Sequence, residues 1–200
     1  MKFKFNNKEY NTPESWDELK LGQYLDFQEI LQTIQPGEEI NTPINYLKVR
    51  TMTDILVGVP EYELDELTMG ELNEIQTSLV PLITKVSSFN KLPESFELDG
   101  ILYVIKLRKD ISDLNSGEYS SIKTLQTQYK GFEYVYRALA VLIRPGKSFK
   151  DEETGEIRYE QDPFQRRDIL NLEHRARLFK EKALAKDTYP VLDFFLSLNV

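Results

Sequence analysis

Apolar and polar positions in the first part of the chain alternate with two different periods. The opening stretch KFKFNNKEY places aromatic residues around an Asn-Asn pair that tolerates positive backbone dihedrals, which predicts a short β-hairpin. Apolar residues then recur at helical spacing over residues 22–34 and again over residues 43–58. A third helical stripe covers residues 70–86, where Pro81 removes a backbone donor and should kink the helix.

The middle of the chain repeats this order of hairpin and helix. The stretch SFELDGILYVIKL alternates around Asp99-Gly100, which is the strongest two-residue hairpin signal in the sequence. An apolar stripe then predicts one long helix from Ser116 to Ile143, ending at the Arg-Pro-Gly run that follows. We therefore expect this helix to be the central element of the fold.

The last quarter of the chain is more polar and ends in an apolar segment. Two short polar runs around Thr154-Gly155 predict an exposed hairpin arm, Phe149 to Tyr159. Pro163 is predicted to open a basic helix that runs to about Lys186. The closing YPVLDFFLSLNV is apolar enough that it should dock on another surface.

One phrase occurs three times, with a Leu, two further residues, a Gly and then Gln or Glu. Its copies are LKLGQYLDF at Leu19–Phe27, LTMGELNEI at Leu67–Ile75 and LNSGEYSSI at Leu114–Ile122. The second and third copies are typical of a capping box, in which Thr or Asn and a Glu three residues later satisfy free backbone donors. The first copy has no capping side chain at its first place and retains half of the box. The phrase therefore predicts three helix starts, and an anion site is disfavoured by the Glu or Gln in each first turn.

The two hairpins align at a constant offset, which predicts an internal duplication of roughly 30 residues. We expect a mostly helical α+β fold with two small antiparallel hairpin units, each feeding a helix and packed on the long helix. Three segments are predicted: residues 1–90 with the first hairpin and helices, residues 91–146 with the second hairpin and long helix, and residues 147–200 with the arm, basic helix and apolar tail. One domain containing all three is the alternative.

Composition restricts the functional class. The formal charge is −8, which gives no basic surface for a phosphate backbone, so we expect no nucleic acid partner. There is no cysteine, which excludes disulfides and thiolate chemistry and favours an intracellular protein. The amino terminus lacks the apolar run of a signal peptide, and no apolar segment is long enough to span a membrane.

Candidate catalytic groups are few. His174 is the one histidine and is expected on a helix surface. The acidic run DEETGE lacks the ligand order of a calcium loop and is expected to be a solvated hairpin tip. We expect no cofactor and no enzyme activity. The alternative is a small intracellular hydrolase using a carboxylate cluster, which would require a pocket with acids of raised pKa.

Partner contact is the remaining class of function. The largest apolar residues, Trp16 and the Phe194–Phe195 pair, are candidates for an interface, and the alternative is that they pack in the core. The basic residues of the last helix are candidates for docking an acidic partner, and the alternative is that they form a solvated helix face. The predicted partner-binding residues are Trp16, Phe149, Tyr159, Arg166, Arg167, Arg175, Arg177, Phe194, Phe195 and Leu196.

The segment YNTPESWDELKLGQYLDFQEI, after a short strand pair at the amino terminus, resembles the opening of small structural-module proteins of tailed bacteriophages, notably crAss-like and other phages of Bacteroidetes. The apolar Phe-Phe ending is similar to theirs. The matching positions are Pro13, Trp16, Asp17, Glu18, Leu21, Gly22, Gln23 and Tyr24.

This resemblance implies a non-enzymatic role in virion assembly or structure: a tail assembly chaperone, a head–tail connector component or a packaged internal virion protein. It implies other phage structural proteins, or further copies of the chain, as partners. It also implies a location in the host cytoplasm during assembly, in the virion, or in both. We expect no small-molecule substrate and no membrane.

Overall fold

The computed structural model describes residues 2–33, 43–84, 92–106, 113–164 and 169–197 of the chain. These residues form an α+β protein that divides into two units, Met1–Ser88 and Phe89–Val200. The second and third segments expected from the sequence both fall in the second unit, where one antiparallel sheet contains strands from both.

The first unit consists of a hairpin followed by helices. Its elements are β1 (Lys2–Phe5), β2 (Lys8–Asn11), a short 3-10 helix (Trp16–Glu18), α1 (Leu21–Thr33), α2 (Pro43–Val57), α3 (Glu61–Leu64) and α4 (Met69–Thr84). Pro43 stands at the first position of α2 and Gly58, with φ of 77°, follows its last, as the sequence predicts. The end of the first predicted helix beyond Thr33 lies outside the described residues, and the kink at Pro81 stays a prediction.

The three repeated phrases start α1, α4 and α5, and the predicted capping is confirmed. The Thr68 N–H donates to Glu71 Oε2 at 2.8 Å, and the Glu71 N–H donates to Thr68 Oγ1 at 3.3 Å. Asn115 and Glu118 form the same reciprocal pair before α5. In the first copy the Lys20 N–H donates to Gln23 Oε1 at 3.1 Å, which is the expected half of the box.

The second unit combines an antiparallel sheet with helices. Its elements are β3 (Ser95–Leu98), β4 (Ile101–Ile105), α5 (Ser116–Gln128), α6 (Phe132–Leu142), β5 (Ile143–Lys150), β6 (Ile157–Gln161), α7 (Ile169–Lys182) and α8 (Ala185–Ser197). The strands are hydrogen-bonded in the order β3-β4-β5-β6, and every neighbouring pair is antiparallel.

The prediction of a single long helix from Ser116 to Ile143 is wrong. The chain leaves the helical path at Tyr129 and turns at Gly131, whose φ of 55° an L side chain rarely adopts, so α5 and α6 are separate helices. The helix also ends at Leu142, and Ile143 through Lys150 form a strand. Of the apolar end, residues 189–197 belong to α8, which contains Pro190 within the helix.

The core of the second unit lies around α6, which is buried on nearly all sides, from Tyr134 to Leu142. Phe179 of α7 joins the helical layer to the sheet. Its ring lies 5.1 Å from Tyr103 on β4 and 5.8 Å from Phe96 on β3, in edge-to-face geometry.

The two predicted hairpins are both confirmed and have the same register. Phe3 pairs with Tyr10 in β1–β2, and Phe96 pairs with Tyr103 in β3–β4. Both tips have two residues at positive φ, Asn6-Asn7 and Asp99-Gly100. These shared features agree with a duplication, which itself stays a prediction.

Candidate functional site

The hairpin formed by residues 146–161 of β5 and β6, here called the arm, is the part of the sheet that extends beyond β3 and β4. Strand β4 pairs with β5 only at positions 143–145, whereas β6 pairs with β5 from Gly146 to Lys150. The outer half of β5 therefore has β6 as its only strand neighbour among the residues that the structure describes. This confirms the hairpin arm expected from the sequence.

A buried ion pair fixes the base of the arm. Arg144 Nη1 donates to Glu118 Oε1 at 2.6 Å and to the Val141 carbonyl at 3.0 Å, and its Nε donates to the Asp162 carbonyl at 2.9 Å. Both side chains of the ion pair are almost fully buried. Because a second oxygen of Glu118 caps α5, the helix start and the arm base share one carboxylate.

Close packing fixes the same region sterically. A Cβ at Gly146 would overlap the Glu160 carbonyl oxygen and lie 2.7 Å from Val104 Cγ2, so this strand position requires glycine. The side-chain Nε2 of Gln161 donates to the Val104 carbonyl at 2.6 Å and to the Leu142 carbonyl at 2.7 Å. The arm thus starts from a rigid base.

The acidic run at the tip of the arm organises a turn. Asp151 Oδ1 accepts from the backbone N–H groups of Glu153 and Thr154 at 3.0 and 2.9 Å. These bonds, with the Thr154 amide as the largest cause, lower the pKa of Asp151 below its ordinary value. Gly155 supplies the positive φ of 73° that closes the turn.

The two faces of the arm differ in chemistry. Directly opposed pairs are Lys147 with Glu160 and Phe149 with Arg158 on one face, and Ser148 with Tyr159 and Lys150 with Ile157 on the other. On the first face Lys147 Nζ lies 3.0 Å from Glu160 Oε2, and Arg158 Nη1 lies 3.0 Å from Asp151 Oδ2.

Each face also exposes a large apolar side chain. Phe149 is 46% exposed on one face and Ile157 is 63% exposed on the other. A groove of about 820 Å³ runs along β6, and its lining includes Ile157, Tyr159, Val104 and Phe164. Phe149 and Ile157 are therefore single exposed apolar side chains on opposite faces of the arm and do not form one contiguous apolar patch.

The structure distributes the predicted partner-binding residues unevenly. Phe149 and Tyr159 both lie on the arm, on opposite faces. On α7, Arg177 is exposed, while Arg175 is half-buried and donates from Nε to the Ala140 carbonyl at 2.8 Å. Arg166 and Arg167 lie outside the described residues, as do the side chains of Phe194, Phe195 and Leu196 on α8.

Trp16 lies in the core of the first unit. It is 9% exposed, and its ring lies 5.3 Å from that of Tyr24 and 5.5 Å from that of Phe27. Trp16 is therefore a core residue, which is the alternative given for it above, and it is not considered further as a partner-binding residue.

The structure also exposes three residues of β6 that the sequence analysis does not name individually: Ile157 and Arg158 lie within the predicted arm, and Glu160 lies just beyond it. The signal that could have found them is the alternation in IRYEQ, where a β-branched residue and an aromatic residue stand between charges. Arg144 and Glu118 could not be paired from the sequence, since 26 positions separate them.

Two further carboxyl groups in the described part of the chain have a lowered pKa. The pKa of Glu63 is lowered mainly by its hydrogen bond with Lys8, and that of Glu71 by its bonds with Thr68. Both shifts are opposite in sign to the shift that keeps a general acid protonated near neutral pH. His174 is exposed on α7, as expected.

Within the described ranges, no group of three or more His, Cys, Asp or Glu side chains could hold a metal ion. No helix there has the length and apolar character needed to cross a membrane. A scan against protein-family models, a search of curated proteins and a search of solved structures each found no match.

Proposed function

We propose that this chain is a non-enzymatic bacteriophage virion or assembly protein that acts through protein–protein contacts. Its role would be that of a tail assembly chaperone, a head–tail connector component or a packaged internal virion protein. The observation that carries the proposal is the arm, a protruding hairpin with a large exposed apolar side chain on each face.

The energetics of the arm support a contact role. A two-stranded hairpin without further packing is marginally stable in water. The arm departs from this because its base is held by the buried Arg144–Glu118 pair, while its outer half keeps Phe149 and Ile157 in solvent. Because each of these side chains is about half exposed, burying the rest of one on a partner contributes about 1–2 kcal/mol. A rigid base with an apolar outer half suits a segment that docks on another subunit.

The proposed partners are other phage structural proteins or further copies of the chain. The proposed location is the host cytoplasm during assembly, the virion, or both. Arg177 on α7 and the Phe-Phe pair on α8 are secondary candidates for the contact. The alternative, a small intracellular hydrolase, has in its favour that four carboxylates, Glu94, Glu156, Glu160 and Asp162, line the groove along β6.

We also propose that the two hairpin-and-helix segments arose by duplication. The support is the shared register of β1–β2 and β3–β4, the shared positive φ values at their tips, and the related helix starts at Leu21 and Ser116. In this account the second copy gained β5 and β6, and with them the arm.

The test is quantitative mass spectrometry of purified phage particles beside infected-cell lysate. A fixed copy number in particles would identify a connector or internal component, and presence in lysate with a bound structural subunit would identify a chaperone. An abundant chain that is absent from particles and copurifies with no phage structural protein would contradict the proposal.

A pair of variants links the result to the arm. Phe149→Ser with Ile157→Ser should abolish incorporation or copurification, because it removes the apolar contacts on both faces. The matched control is Ile101→Ser with Tyr119→Ser, which changes side chains of similar exposure, 43% and 42%, outside the arm. Equal losses in both double variants would exclude the arm as the contact.

A further inference from the structure

The outer edge of the sheet in the second unit is β6, and among the residues that the structure describes no strand lies beyond it. An open edge presents unpaired backbone N–H and C=O groups to any extended segment that approaches. Its five residues, Ile157–Gln161, are regular strand; the side chains of Ile157, Arg158 and Glu160 are exposed, and those of Tyr159 and Gln161 are partly buried. A partner strand could therefore add here without rearrangement of the sheet.

The sequence of β6 complements itself when two copies pair in antiparallel orientation. With Tyr159 placed opposite Tyr159 of a second copy, Arg158 lies directly opposite Glu160 of that copy, and the same pair forms a second time by symmetry. Opposite charges in directly opposed positions stabilise a strand pair, and like charges destabilise it. A shift of the pairing register by one residue would place Arg158 opposite Tyr159 instead of Glu160. The side chains that match in the first register would then lie on opposite faces of the sheet.

The neighbouring strand extends this complementarity. Lys147 on β5 already lies beside Glu160, with Nζ 3.0 Å from Oε2. In the paired arrangement the row across the sheet becomes Lys147, Glu160, then Arg158 and Phe149 of the second copy. Charge therefore alternates across the row and ends on an aromatic ring, which also interacts favourably with a guanidinium group.

Exposure and overall charge also permit the contact. The side chains of Arg158 and Glu160 are 54% and 61% exposed, so both can reach a second copy. The chain carries a formal charge of −8, all of it from the first unit, whereas the second unit, which contains β6, has 18 basic and 18 acidic residues and no net charge. Glu156 and Asp162, which flank the strand, lie opposite each other as like charges at both ends of this pairing, so the attraction comes from the two Arg158–Glu160 pairs.

We infer that β6 is a self-association edge, which pairs antiparallel with β6 of a second copy of this chain, centred on Tyr159, and joins the two four-stranded sheets into one. The inference holds whether or not the chain acts in a virion. A pair of five-residue strands is smaller than a standard interface of about 1,200–2,000 Å². The dimer is therefore reversible and depends on concentration.

Disulfide trapping in the full chain tests the register, because the natural sequence contains no cysteine. In the inferred pairing, Tyr159→Cys places two thiols on directly opposed residues, whose Cα atoms lie about 4.5–5.5 Å apart, within disulfide reach. Ile157→Cys is the matched control, since its two copies lie four residues apart along the strand pair, or about 13 Å. Ile157 is also the more exposed position, so random collision favours the control.

Under mild oxidation, Tyr159→Cys is expected to form covalent dimer at least about tenfold faster than Ile157→Cys, measured on non-reducing gels. Equal or faster linkage of Ile157→Cys overturns the inference, as does the absence of covalent dimer from both variants when thiol labelling shows both to be accessible. If circular dichroism shows that Tyr159→Cys is unfolded, a mixture of Arg158→Cys and Glu160→Cys chains replaces it. The mixture must then form disulfide dimers faster than either chain alone, and equal rates overturn the inference.

Discussion

The two short hairpins of this chain, β1–β2 and β3–β4, are locally alike but have different surroundings. Each pairs an aromatic residue with a tyrosine, Phe3 with Tyr10 and Phe96 with Tyr103, and each turns through two residues at positive φ. Their local sequences are therefore sufficient to specify the turn and the register.

The first hairpin is held to its unit by polar contacts. Lys8 Nζ lies 2.6 Å from Glu63 Oε1, the Tyr10 hydroxyl donates to Glu63 Oε2 at 3.0 Å, and Asn6 donates to Glu66 at 2.8 Å. The ring of Tyr10 packs in a small cluster with Val59 and Leu64. In the described part of the first unit, no third strand joins this hairpin.

The second hairpin is held by aromatic packing and continues into a larger sheet. Phe179 covers Phe96 and Tyr103, and β4 pairs onward with β5 at Tyr103, Val104 and Ile105. The same local unit therefore either remains a two-stranded sheet or begins a larger one, depending on the sequence that follows it. Extension of the sheet creates the arm and its open edge.

The substitution with the greatest predicted effect removes the aromatic packing that is specific to the second hairpin. Phe179→Ala removes a fully buried ring and should lower the free energy of unfolding of the second unit by about 3–5 kcal/mol. Urea denaturation followed by hydrogen exchange of the β3 and β4 amides measures this. Phe149→Ala is the control, because its side chain is half-exposed, and should change stability by less than about 0.5 kcal/mol. A comparable loss in both variants would contradict the assigned packing.

A smaller effect, dependent on pH, should distinguish the first hairpin. The hydrogen bond with Lys8 is the largest cause of the lowered pKa of Glu63, so the folded state binds this proton less readily than the unfolded state. The contribution of Glu63 is therefore present above the unfolded pKa, near 4.5, and is lost as the pH falls through the lower folded value. Glu63→Gln should flatten the acid side of the stability profile of the first unit.

Urea denaturation at a series of pH values between neutral and acid measures this slope. The control is Glu29→Gln, which changes an exposed carboxyl on α1 and should leave the slope as it is in the natural chain. An unchanged slope in Glu63→Gln would show that the polar contacts of the first hairpin do not contribute to its stability.

The smallest effect concerns the two tips. Gly100→Ala should destabilise the second unit by about 1 kcal/mol, because φ of 75° is unfavourable for a residue with a Cβ. Asn7→Gly should stabilise the first unit by up to about 0.5 kcal/mol, because Asn7 already has φ of 60° and glycine adopts it without strain. Thermal unfolding of both variants measures the sign of each change in stability. If both variants lost or both gained stability, the two hairpin tips would not have the same backbone requirement for positive φ.

Local signals made much of this fold predictable. The hairpins at Asn6-Asn7 and Asp99-Gly100 and the three helix starts depend on interactions within a few residues, and all are confirmed. The break at Gly131 was missed because the apolar stripe continues across it, and a single glycine is tolerated in many helices. Tertiary packing decides such a position.

The candidate site depended more on long-range contacts and was predicted less completely. The arm was visible as two polar runs around Gly155, but Pro145 and Gly146 were taken as the end of a helix rather than as part of β5. That strand exists because Pro145 lies opposite Tyr103 and because Gly146 fits against Glu160 and Val104. No local pattern contains these contacts.

The measurement that tests the open edge most directly is sedimentation velocity of two charge-reversal variants, alone and mixed. Arg158→Glu and Glu160→Arg each place like charges opposite each other in a self-paired dimer, whereas a mixture places the carboxylates of one variant opposite the guanidinium groups of the other. We predict a concentration-dependent dimer for the natural chain, monomers for each variant and a dimer for the equimolar mixture. A natural chain that stays monomeric, or variants that dimerise alone as well as it does, would contradict the account.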